Sequence, residues 1–144
     1  MITHQEYIDQ INDEFVNEIS RFTVQLYEPS NAYSENKSPY QPIGSGVLLY
    51  KANRHFLVTA GHIISERNPK ELGIYEIDTF YKLYGHIYYI DPDKNKENEY
   101  YDIAIWELDE KTFETILRFY KFLHIDDLLI NHTPIDSNNY LIFG

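Results

Sequence analysis

The chain has 144 residues, a common size for one domain, and its 43% hydrophobic and 24% charged residues match a soluble globular protein. Aromatic residues make up 16%, with 14 tyrosines, which argues against disorder and favours half-buried strands. A formal net charge of -11 disfavours nucleic acid and anionic membranes as partners and weakly favours basic ones, and the lack of cysteine excludes disulfides, thiolate zinc sites and a cysteine nucleophile.

The first element predicted is a helix from residue 3 to about 19. Thr3 and Glu6 have capping-box spacing, and Tyr7, Ile8, Ile11, Phe15 and Ile19 recur as one apolar stripe that should dock on the rest of the domain. The start has neither a basic nor an apolar leader region, and no apolar run reaches the length of a membrane span. With no cysteine to oxidise, an intracellular, cytoplasmic protein is expected.

The period then changes to that of a strand. Phe22, Val24 and Leu26 alternate with Thr23 and Gln25. Glu28 to Pro42 is rich in Ser, Asn, Tyr and Pro and reads as a loop. Gly46–Lys51, the polar connection Ala52-Asn53-Arg54 and His55–Ala60 form a β-hairpin signature. Further strands are expected over Gly73–Ile77, Tyr81–Ile90 and Asp102–Leu108, with a charged loop over Asp91–Glu99 and a helix over Lys111–Phe122. Asn131–Asn139 is a polar connector, and Tyr140–Gly144 begins another apolar strand. Short strands separated by turns predict an all-β protein with an N-terminal helix, built as a small antiparallel barrel or sandwich.

Two segments stand out. One runs from Gly44-Ser45-Gly46 through the hairpin to Thr59-Ala60-Gly61-His62, and the other is Asp102-Ile103-Ala104. Together they resemble the trypsin-like (chymotrypsin-fold) serine peptidases, above all the bacterial branch. His62 precedes Asp102 by forty residues. That agrees with the family order of His, Asp, Ser and differs from those of α/β-hydrolases and subtilisins.

The resemblance covers roughly Phe22 to Gly144. It implies a six-stranded antiparallel barrel over residues 21–125 after the helix of 1–20. Residues 126–144 would be a connector and the first strand of a truncated second barrel. It implies that His62 is the general base and Asp102 the carboxylate that holds its tautomer. On the residues alone, His62 also reads as a histidine satisfied by backbone, and Asp102 as a turn aspartate. Burial of Asp102 is expected from its place before an apolar strand.

The other histidines, His4, His55, His86, His124 and His132, have no comparable context and no metal-ligand spacing. No metal and no cofactor are expected. Ser45 reads as a strand position rather than a nucleophile, because it opens a β-strand instead of a strand-to-helix elbow. Ser20, Ser30, Ser34, Ser38, Ser65 and Ser137 lie in no glycine-rich turn, so the chain lacks the family's nucleophile and oxyanion hole. The expected activity is a serine endopeptidase acting on polypeptide, completed by a missing C-terminal barrel in the same or another chain. The other reading is a catalytically inactive, protease-like binding or regulatory module. The activation end of secreted trypsins is absent, so no zymogen cleavage of that type is implied.

Overall fold

The computed structural model describes residues 3–30, 38–89 and 102–127. Helix α1 spans His4–Ser20, and Thr3 caps it reciprocally with Glu6 as the spacing predicts. Of its expected apolar stripe, the side chains described are those of Phe15, which is exposed, and Ile19, which is half-buried. The helix is tied to the domain at its C-terminal end. There Phe22 N–H donates to the Ile19 carbonyl and Lys121 N–H to the Arg21 carbonyl.

Eight strands follow: β1 (Thr23–Pro29), β2 (Tyr40–Lys51), β3 (Arg54–Thr59), β4 (Gly73–Glu76), β5 (Thr79–Lys82), β6 (Gly85–Tyr89), β7 (Ala104–Leu108) and β8 (Leu123–His124). Two short helices interrupt them, α2 (Gly61–Ser65) and α3 (Glu110–Ile116). The strands form one curled sheet in the order β5-β4-β1-β2-β3-β7-β6, antiparallel throughout. Strand β8 pairs parallel with the end of β2, beyond the reach of β1. The protein is therefore mostly antiparallel β, as expected.

Period-two alternation turns one side of each strand inward. Val24 and Leu26 of β1, Leu48 of β2, Leu57 of β3, Ile74 of β4 and Ala104, Trp106 and Leu108 of β7 make the core. Ile63 and Ile64 of α2, Leu72, Leu83 and Ile116 complete it. Each leucine or isoleucine so buried contributes roughly 1.5–3 kcal/mol of transfer free energy.

Several boundaries differ from the sequence expectations. Strands β1 and β2 extend into the stretch read as a loop: Tyr40, Gln41 and Pro42 pair with Pro29, Glu28 and Tyr27 beyond a bulge at Leu26/Tyr27. Phe22 precedes β1 rather than opening it. Strand β7 begins at Ala104, two residues after Asp102. The helix expected over Lys111–Phe122 is shorter, because the Ile116 carbonyl closes the turn on Phe119 and Tyr120 and the chain then leaves for β8. The expected features over 91–99, 131–139 and 140–144 lie outside the described residues.

The stretch from 73 to 89 holds three strands where two were expected, because the strand expected from Tyr81 is divided between the end of β5 and β6. A hairpin joins β4 to β5 through Ile77 and Asp78, both left-handed with φ of 47° and 59°. That is the backbone of a type I′ turn, like the Ala52-Asn53 turn of the first hairpin (φ 49° and 60°). A β-branched residue is strained there, and Ile77 is 81% exposed, so its side chain gains little in return. Ile77→Asn should raise unfolding stability by about 1 kcal/mol. A thermal melt unchanged or lowered would contradict the turn geometry.

Candidate active site

His62 lies in the first turn of α2, directly after β3, rather than at a strand end. Two packing relations place it. Ile63 is buried, and its side chain occupies the space where a Cβ on Gly44 would stand, so α2 sits down on β2. Ala60, the cap residue of α2, has no side chain able to accept from the helix N-terminus.

Asp102 supplies that acceptor from across the sheet. Its Oδ1 accepts from His62 N–H at 2.8 Å, and its Oδ2 lies 2.5 Å from His62 Nδ1. One carboxylate thus caps a helix and orients an imidazole. The approach requires Gly61, because a Cβ there would stand 2.9 Å from Asp102 Oδ1 and 3.3 Å from Ile103 N. Residue 61 has to lack a side chain for residues 62 and 102 to meet.

Hydrogen bonds from the His62 ring, and then from its backbone N–H, hold the Asp102 carboxyl below its ordinary value of 3.8. The group is therefore a carboxylate at neutral pH. A carboxylate only accepts, so Nδ1 carries the proton and donates it to Asp102. In the neutral imidazole this leaves Nε2 with a free lone pair, the arrangement a general base needs.

The expected burial of Asp102 is corrected. The side chains of His62 and Asp102 are 56% and 55% exposed. Asp102 precedes β7 rather than standing within it, and Ile103 beside it is exposed too, so among the described residues no strand covers the pair from outside.

The remaining candidates are placed elsewhere. Ser45 lies within β2, opposite Gln25, and its carbonyl accepts from Thr59 Oγ1 at 2.7 Å; it is a strand residue. His55 stacks on Phe113 at 3.5 Å between centroids, and burial pushes its pKa down. His86 packs edge-on to Tyr88, and His124 Nδ1 faces Asp126 at 3.5 Å. Among the described residues, the His62 side chain hydrogen-bonds only to Asp102. Among these residues no three His, Asp or Glu side chains gather to hold a metal ion, and no helix is long and apolar enough to cross a membrane.

Sequence reasoning missed three features. One is the need for Gly61, which its place between Ala60 and His62 in the motif could have signalled. Another is the two-point ion pair of Arg54 with Glu107, at 2.8 and 2.5 Å, joining β3 to β7. The third is the Asp109 cap of α3, accepting from Thr112 N–H at 2.8 Å, an Asp-x-x-Thr signal present in the chain.

No family model, no curated protein and no solved structure matches this chain.

Proposed function

We propose that this chain is the first-barrel half of an intracellular serine endopeptidase, with His62 as general base and acid and Asp102 as its orienting carboxylate. The observation that carries the reading is the double grip of Asp102 on His62. A carboxylate that fixes both the backbone and Nδ1 of one histidine leaves Nε2 as a base of defined direction. The order of the two residues and the hairpin between Gly44 and Thr59 support it.

The sheet supports the barrel as well. Its two end strands, β5 and β6, are consecutive in the chain and separated only by Leu83 and Tyr84. Taken as one bent strand, they close the sheet on itself and leave six strands in the ring. The second barrel belongs to the same proposal, and it would cover the open side of His62 and Asp102.

The nucleophile in this reading is a serine outside residues 1–144. It attacks the scissile carbonyl while Nε2 of His62 takes its proton, and the imidazolium then protonates the leaving amine. The test is a serine-reactive fluorophosphonate applied to the protein isolated from its natural source. Mass spectrometry should map the label to a serine beyond residue 144, in the same polypeptide or in one bound to it. No label, or a label on Ser45, would refute the proposal. The absence of any label from a stable, well-folded protein is the outcome for an inactive binding module.

A further inference from the structure

A cleft of about 640 Å³ opens where β5 gives way to β6, within the size range of small-molecule sites. Trp106 lines it, four residues along from Asp102, and neither His62 nor Asp102 does. Leu83, Ile87 and Pro69 make the wall apolar, and Lys70 and Lys82 stand at it as well. The cleft is therefore separate from the candidate active site.

Two observations concern its occupant. Trp106 is 2% exposed, and its indole Nε1 is buried with no hydrogen-bond partner among the described residues. Nε1 is thus closed to solvent, and Trp106 offers the cleft its ring rather than its N–H. Lys70 and Lys82 make no ion pair among the described residues, although the chain carries 23 acidic side chains. Two unpaired ammonium groups beside an apolar wall are complementary to an anion with an apolar body. Lysine stems are flexible enough to bring both heads over one bound group.

We propose that this cleft binds an amphiphilic monocarboxylate, whose apolar body lies on Leu83, Ile87 and Pro69. The carboxylate is neutralised by Lys70 and Lys82. The site is independent of the protease reading, since it uses no residue of that pair.

Trp106 is the only tryptophan, so its emission reports on the cleft directly. Titration of the 144-residue chain with decanoate should change that emission saturably. Decan-1-ol should bind at least about tenfold more weakly, and decyltrimethylammonium should give no saturable change. Lys70→Ala with Lys82→Ala should weaken decanoate about tenfold without altering the thermal melt. No saturable response to decanoate, equal binding of the alcohol, or unchanged affinity in the double lysine variant would overturn the proposal.

Discussion

Asp102→Asn should lower peptide hydrolysis about ten-thousand-fold in the two-barrel protease proposed above, with little change in substrate affinity. Asp102 accepts twice, from His62 N–H and from Nδ1–H. An asparagine has one acceptor oxygen and one donor NH₂ group. If the oxygen keeps the backbone N–H, the NH₂ faces Nδ1 and forces that nitrogen to accept. The ring proton then moves to Nε2, which can no longer take a proton from a serine. If the amide flips, a donor opposes the N–H of the α2 first turn and the helix loses its cap. His62→Ala should be at least as damaging, and the two losses should not add, because the residues act as a unit. A fall of less than tenfold in kcat for either variant would remove His62 and Asp102 from the chemistry.

The same pair has a pH signature. A carboxylate whose folded pKa is depressed stabilises the fold at pH values above its unfolded pKa, and that contribution is lost as the pH falls through the folded value. The Asp102 carboxyl, held low mainly by the His62 ring, should accordingly titrate below 3.8 when followed by the ¹³Cγ shift. In His62→Ala the titration should move back up.

Leu57→Ala should cost about 3 kcal/mol of unfolding free energy, a lowered urea midpoint with unchanged slope. Leu57 is wholly buried at the middle of the sheet, with Leu48 of β2 on one side and Trp106 of β7 on the other. Truncation leaves a void flanked by two strands whose hydrogen-bond registers keep the walls from collapsing, so the cavity term adds to the lost transfer energy. A loss below about 1 kcal/mol would mean that the interior of this sheet is not packed around Leu57.

The first hairpin was legible because its signals are local. Gly46 and Leu48 on one strand, and Leu57 and Thr59 on the other, face inward at a spacing of two, and Asn53 suits the left-handed turn. The second hairpin was not, because Ile77-Asp78 carries neither glycine nor asparagine. The break at Leu83-Tyr84 was hidden for a different reason. Leu83 N–H donates to the Leu72 carbonyl and Tyr84 N–H to Thr112 Oγ1, 11 and 28 residues away, and no local pattern encodes such distant acceptors. Likewise α3 stops early through Lys121 reaching Arg21, a hundred residues back. His62 and Asp102 were recognisable as a pair only through motif resemblance. Their contact depends on Gly61 and on the packing of Ile63 over Gly44, which composition and periodicity do not register.

Strand β2 binds three neighbours, β1 over its first eight residues, β3 over its last six and β8 at Leu49 and Tyr50. Its ladder is thus assembled from segments made at very different moments of synthesis. The β2–β3 hairpin can close as soon as Thr59 has left the ribosome, whereas Leu49 waits for Leu123, which follows 74 residues later. A nascent chain halted between these points carries an unfinished edge in the middle of its own sheet. That interval is when it is most open to pairing with a neighbour, and shielding by a chaperone would matter most there.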